Sequence, residues 1–218
     1  MGGEFRAVIY SSLLSELDWL DHGFGTRSAP LSQDGMASLK QIHSARVLTA
    51  HVAGLIGEGD ALVTKCTGVP VSVRTADCYP ILLVDIATRA IAAVHAGWRG
   101  TSAEIVKAAL REMNADPRNV RAAIGPGIGK CCYRVGADVA QRFGHAEACC
   151  IDLAAANRRQ LLSAGVSETH IDVIARCTFC NAEQFHSFRR DKEQAGRMIS
   201  YIAVKTAAVA DKTTAAGK

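Results

Sequence analysis

Two polar knots set in a long apolar stretch constrain this chain most. The first is Arg74-Thr75-Ala76-Asp77-Cys78-Tyr79-Pro80, and the second is Ala93-Val94-His95-Ala96-Gly97-Trp98-Arg99-Gly100. Val71-Ser72-Val73 leads into the first, and the runs Ile81 to Ile86 and Ala90 to Val94 join the two. Short apolar runs bounded by turn residues read as buried strands. Cys78 and His95 therefore each stand beside a core strand. They are seventeen residues apart, the separation at which a strand, a turn and a returning strand bring two side chains together. A thiol and an imidazole presented in this way bind a metal or form a nucleophile–base pair. Either residue alone reads as a buried Cys or a hydrogen-bonded core His; Asp77, Trp98 and Arg99 beside them favour a functional site.

The rest of the composition sets bounds. A chain of 218 residues, 49% hydrophobic and 21% charged, has the make-up of an ordinary globular domain with a sizeable core. A net charge of +4, with no Lys/Arg run longer than two, does not argue for nucleic acid or membrane surfaces, and neither is expected as a partner. No apolar window is long enough for a membrane span, and the first residues lack a signal-peptide pattern. Met1-Gly2-Gly3 resembles the start of a myristoylation signal, but Arg6 stands where Ser or Thr is needed. Eight cysteines lie at 66, 78, 131, 132, 149, 150, 177 and 180. Two vicinal pairs are not the spacing of a secreted disulfide framework, so thiols in a cytoplasmic protein are expected. Cys177-Thr178-Phe179-Cys180 has C-x-x-C spacing, but one such pair is only half of a zinc ribbon and no second completes it; buried structural thiols are the first reading, with a redox pair and a metal pair as the alternatives.

In chain order, Ala7 to Tyr10 reads as an edge strand, His22 to Arg27 as a polar glycine-bearing turn, and residues 28–35 as loop. His43 stands at the start of a strand over Ala45 to Ala50; Gly57 to Gly59 make a turn; a strand over Asp60 to Thr64 opens with a carboxylate. Thr101-Ser102-Ala103-Glu104 matches a capping box, predicting a helix that starts there and ends at Asp116-Pro117. A helix N-terminus just past the glycine-bearing His95 turn is a natural place for an anion. Strands are expected over Val120 to Ile124, Cys132 to Val135, Ile171 to Ala175 and Met198 to Val204. Helices are expected over Asp138 to Phe143 and Asp152 to Gly165. Gly125 to Lys130 has neither phosphate-loop nor dinucleotide spacing and reads as a tight turn. One domain is expected over 1–204 and a disordered tail over 205–218.

The polar residues at strand ends are His43, Asp60, Asp77, Cys78, His95 and Arg99. Two imidazoles and a thiolate suit zinc or copper. Three protein ligands leave one tetrahedral position open, where zinc lowers the pKa of a bound water toward about 7.

Seven ordered motifs now bear on identity. They are Lys40-Gln41-Ile42-His43, Gly59 to Thr64, Thr75 to Pro80, His95 to Gly100, Ile124 to Ile128, Gln160-Leu161-Leu162, and Phe185 to Asp191 with Gly196-Arg197. In this order they resemble the YfiH family, known as polyphenol oxidase or laccase-domain proteins and as purine nucleoside phosphorylases. The resemblance spans about 20–204. It implies an α+β fold, a single-domain four-layer α/β/β/α sandwich with mixed sheets. It also implies a zinc or copper site with His43, Cys78 and His95 as ligands. One departure stands out: Gln41 follows Arg27 after only fourteen residues, so a helix or loop common in the family is missing here.

The resemblance implies phosphorolysis of adenosine, inosine and methylthioadenosine, together with adenosine deamination and phenol oxidation. The expected substrates are a purine nucleoside and phosphate. Asp77 or Asp60 is the candidate proton carrier, and Cys78 and His95 complete the catalytic set. Arg27, Gln41, Arg99, Arg189 and Arg190 are the candidates for holding phosphate and substrate. One alternative is a copper-dependent phenol oxidation; seven histidines and no His-x-His pair argue against a true multicopper centre. Another is a hydrolase or amidase with Cys78 as nucleophile and His95 as base. A non-enzymatic metal-binding protein is the weakest reading. Nothing in the pattern specifies an oligomeric state.

Overall fold

The computed structural model describes residues 8–29 and 31–206. Met1, Gly2, Gly3, Arg6 and Ala7, and the tail beyond 206, lie outside the described residues.

Twelve strands are described: β1 (Val8–Ile9), β2 (Leu20–Gly25), β3 (Ala37–Lys40), β4 (Val47–Thr49), β5 (Gly54–Glu58), β6 (Ala61–Thr64), β7 (Val71–Thr75), β8 (Tyr79–Asp85), β9 (Ile91–Ala96), β10 (Val120–Ile124), β11 (Ile171–Val173) and β12 (Met198–Val204). The α-helices are α1 (Ser12–Ser15), α2 (Trp98–Ser102), α3 (Ile105–Met113), α4 (Ala137–Gln141), α5 (Leu153–Ser163) and α6 (Phe188–Asp191). The strands form two six-stranded sheets. The first runs β1-β2-β12-β7-β3-β5 and the second β11-β10-β8-β9-β6-β4. Both are mixed: β3 is parallel to β7 and to β5, β10 to β11 and β4 to β6, and the remaining pairs are antiparallel.

The apolar runs that flank the two knots explain the layering. Every residue of β8 and β9 is buried. Ile81 and Leu83 face the core under α3 and α5, whereas Leu82 and Val84 face the first sheet. A strand covered on both faces has no polar side to show, so its sequence is continuous rather than alternating. The result is the single-domain α+β sandwich with mixed sheets that the motifs implied. Its two outer layers are unequal. Ile105, Val106, Ala109, Leu110 and Met113 seat α3 on the second sheet. The first sheet is overlaid in part by residues 31–36, where Gln33 Nε2 donates to Ser72 Oγ at 2.9 Å. The four-residue α1 bridges β2, β10 and β11. No helix among the described residues is long and apolar enough to cross a membrane.

Several expectations are corrected. His22 to Gly25 is part of the buried strand β2, not a turn: His22 Nε2 accepts from the Ser11 amide at 3.0 Å, and the polar side chain is thus satisfied inside. Strand β3 lies in a stretch that was assigned no element, and β5 runs into the turn expected over Gly57 to Gly59. The capping box does not form. Helix α2 already begins at Trp98, the Thr101 hydroxyl accepts from Asn157 Nδ2 at 3.0 Å, and Glu104 has φ +58° and pairs with Lys107. Cys132 to Val135 is not a strand; only an isolated bridge joins Arg134 to Cys150. Lys205 is held by the carbonyls of Trp19 and Asp18 rather than opening a loose tail.

Candidate active site

Three crossovers pass from the first sheet to the second at one end of the sandwich: β3 to β4, β5 to β6 and β7 to β8. His43, Asp60 and Cys78 occupy these three crossovers, and His95 faces them from near the end of β9. The topology thus gathers residues that are far apart in sequence. The metal-binding atoms of His43, Cys78 and His95 all lie within 4.8 Å of one another. The two imidazole rings meet edge to face, with centroids 4.9 Å apart.

Asp60 organises this trio from beneath. It is fully buried, and His95 Nδ1 lies 2.8 Å from its Oδ1. It also accepts from the His43 amide at 3.0 Å and from the Ser44 amide and hydroxyl at 2.6 and 2.8 Å. These bonds hold His43 in a left-handed conformation, φ +57°. A carboxylate on Nδ1 turns Nε2 of His95 toward Cys78 and His43, the usual support of a metal-binding imidazole. Burial would raise the Asp60 pKa, but the His95 and Ser44 hydrogen bonds outweigh it and hold the carboxyl at about 2. Asp60 does not line the cleft but lies behind His95, so the expected position of a proton carrier in the cleft is not the one it holds.

Cys78 and His95 perturb each other. Burial opposes the thiolate, yet hydrogen bonds from His43 and His95 and their positive charge bring Cys78 down to about 6. Burial likewise opposes charge on His95, but Asp60 and Cys78 raise it to about 9. A thiolate ready at neutral pH is what a soft metal needs. Gly97 is part of the same cradle: a Cβ there would stand 2.8 Å from Cys78 Sγ and 3.6 Å from His43 Cδ2. The space in front of the thiolate is therefore kept clear by the absence of a side chain. The donor set and this clearance fit a zinc or copper ion.

The trio opens into a cleft of about 710 Å³. Lys40, Arg74, Arg99, Arg189, Lys192 and Arg197 supply positive charge around it, and Asp77 is its one lining carboxylate among the described residues. Within that set only Lys40 is ion-paired among the described residues, with Glu58 at 2.8 Å. Trp98, Tyr133, Phe188 and Ile128 give the cleft flat apolar walls. Arg99 lies over the Trp98 ring at 4.6 Å and Arg189 over Tyr133 at 5.3 Å.

The structure divides the remaining sequence candidates. Arg99 and Arg189 line the cleft. Gln41 is at its edge, but its side chain is tied to the Arg74 backbone at 2.8 and 2.7 Å. Both oxygens of Asp77 are occupied, one by Thr178 Oγ1 and one by the Arg189 amide, each at 2.6 Å. Asp77 thereby ties the α6 segment to the cleft. Arg27 and Arg190 are not in this cleft. Arg27 binds the Ala182 carbonyl, and Arg190 spans Asp191 and the carbonyls of Thr178, Phe179 and Phe185. Sequence reading quoted Arg74 and Arg197 within motifs without making them site candidates, and it passed over Lys192 and Tyr133, whose only signal was residue type. It saw only the Cys177 and Cys180 half of a second ligand cluster, which the structure completes with Cys131 and Cys132. Of the two groups of three or more ligating side chains among the described residues, only the cleft trio contains histidine.

A family model described as multi-copper polyphenol oxidoreductase laccase matches residues 25–205. The chain belongs to this family. It is 41% identical over 182 residues to a purine nucleoside phosphorylase of Deinococcus radiodurans, covering 78% of this chain and 70% of that protein. It is 36% identical over 197 residues to adenosine deaminase RL5 from an unknown prokaryotic organism, covering 78% and 75%. Among solved structures, YlmD from Geobacillus stearothermophilus superposes with a TM-score of 0.83 at 25% identity, covering 94% of this chain and 98% of that one.

Proposed function

We propose that this protein is a zinc-dependent purine nucleoside enzyme. It cleaves adenosine, inosine and methylthioadenosine with phosphate and deaminates adenosine. The observation that carries this reading is the His43–Cys78–His95 trio at the base of a cation-rimmed, aromatic-walled cleft. The names of the relatives point the same way.

His43, Cys78 and His95 would hold the metal, with Asp60 fixing His95 and with Gly97 leaving room. When bound, zinc supplies Lewis acidity at a site with three protein ligands and an open position; copper is the alternative ion, and would suit phenol oxidation. The chain's own residues do the rest. Arg99 and Arg189 reach the cleft as phosphate-binding forks. Trp98, Tyr133 and Phe188 offer faces against which a purine packs. In phosphorolysis a phosphate oxygen bonds to C1′ while the C1′–N9 bond breaks, its electron pair leaving with the purine, which takes up a proton. In deamination water adds at C6 and ammonia leaves.

One further observation favours a second reading. Cys78, His95 and Asp60 form a hydrogen-bonded series with the thiol brought to about 6, an arrangement that also suits a cysteine hydrolase or amidase.

The test is product identity with adenosine and phosphate. Adenine with ribose 1-phosphate reports phosphorolysis, and inosine with ammonia reports deamination. Both should vanish when metal is stripped and return with zinc. Amide hydrolysis that survives stripping, without nucleoside turnover in the zinc-loaded protein, would replace this reading by the second.

A further inference from the structure

We propose that Cys131, Cys132, Cys177 and Cys180 form a second metal site, a structural tetrathiolate for zinc, distinct from the cleft trio.

The four sulfurs lie within 4.8 Å of one another. Cys180 Sγ is 3.3 Å from Cys132 Sγ and 3.7 Å from Cys131 Sγ, and all four are free thiols. Four sulfurs at about 2.3 Å from a tetrahedral zinc stand about 3.8 Å apart, so the cluster is already near the required edge length. The half ribbon of Cys177 and Cys180 is thus completed by the vicinal pair, from a loop more than forty residues earlier in the chain.

The backbone supports the first sulfur of the C-x-x-C turn. Cys177 Sγ accepts from the Gly129 amide at 3.2 Å. A backbone N–H aimed at the first sulfur of a C-x-x-C turn stabilises its anionic, metal-binding form. Gly129 lets the two loops approach: a Cβ there would lie 3.2 Å from both Cys131 Sγ and Cys177 Cβ. The turn is braced from outside. Thr178 N donates to the Gly127 carbonyl at 3.0 Å, and Arg190 holds the carbonyls of Thr178 and Phe179. Sulfur-only ligation with no open position marks a structural rather than a catalytic ion.

The consequence is mechanical. One stapled loop carries Ile128 and Tyr133, and the other leads to Phe188 and Arg189; all four line the cleft. The ion would fix the two walls relative to each other without touching substrate.

The decisive measurement uses the full chain with Cys78→Ser, which removes the cleft thiolate, loaded with zinc and studied by X-ray absorption at the zinc edge. One retained zinc per chain with four sulfurs at about 2.3 Å and no nitrogen shell is expected. Adding Cys180→Ser should weaken zinc retention by more than about tenfold. Should the double variant not fold, the spectrum of the single variant decides alone. Failure of Cys78→Ser protein to retain zinc, a nitrogen-containing shell, or a Cys132–Cys180 disulfide in protein purified under reducing conditions would overturn the proposal. None of these readouts depends on nucleoside turnover, so this proposal and the cleft assignment fail separately.

Discussion

His43, Cys78 and His95 sit on and beside core strands, whereas Cys131, Cys132, Cys177 and Cys180 sit on two loops. The first group mixes nitrogen with sulfur, is braced by the buried Asp60 carboxylate, and looks into a 710 Å³ cleft. The second is all sulfur, accepts a hydrogen bond from the Gly129 amide, and is half exposed. Three donors with a cleared fourth direction leave room for chemistry, and four donors closed on themselves leave room only for cross-linking. The rigid strand ends supply precision to the group that needs it. The loops, which lack a sheet of their own, receive the staple.

The largest effect that would sharpen this contrast is expected from Asp60→Asn. Loss of the carboxylate behind His95 should lower metal affinity at the trio by about 10–100-fold and nucleoside turnover with it. Zinc held by the four cysteines should be unaffected; equal loss at both places would break the contrast.

Thiol reactivity separates the groups next. In metal-stripped protein the thiolate of Cys78 is populated as pH rises through about 6, so its alkylation should be near its plateau at pH 7. Cys132 is pushed up by its hydrogen bond with Cys180 and by neighbouring thiols, so its thiolate forms only at higher pH. A peptide map after limited iodoacetamide treatment at pH 7 should show Cys78 ahead of Cys132 by about tenfold or more. Cys132 reacting first would contradict the electrostatics of both groups.

Gly97→Ala is a smaller perturbation. The backbone there, φ −79°, accepts alanine, so the effect is the 2.8 Å approach of the new methyl to Cys78 Sγ. Turnover should fall about tenfold, equivalent to roughly 1.4 kcal/mol, with the thermal midpoint little changed. Smallest of all, Arg99→Ala or Arg189→Ala should raise KM for phosphate several-fold and leave metal content intact, as an inductively coupled plasma measurement would confirm.

How much of this was legible in the sequence follows the same division. The strands β8, β9, β10 and β12 were readable because burial on one or both faces leaves short apolar runs. His43, Cys78 and His95 were readable because each flanks such a run. Strand β2 was not, because His22, Gly23 and Gly25 look like a turn until Ser11 is seen to satisfy His22. The start of α2 was misplaced because Thr101 had a better partner in Asn157, supplied by tertiary packing. Arg27 and Arg190 were plausible cations whose carbonyl partners only the fold reveals. The cysteine cluster was half visible: a C-x-x-C announces itself, but a vicinal pair completing it across two loops has no sequence period.

The most direct test is zinc content and adenosine turnover with phosphate, measured on one preparation of wild type beside Cys78→Ala. The account predicts that the variant folds, loses one zinc equivalent and loses turnover by about a thousandfold or more, the scale at which removal of a working group is felt. Turnover unchanged in Cys78→Ala, or lost while all the zinc is kept, would contradict the assignment of His43, Cys78 and His95 as the working metal site.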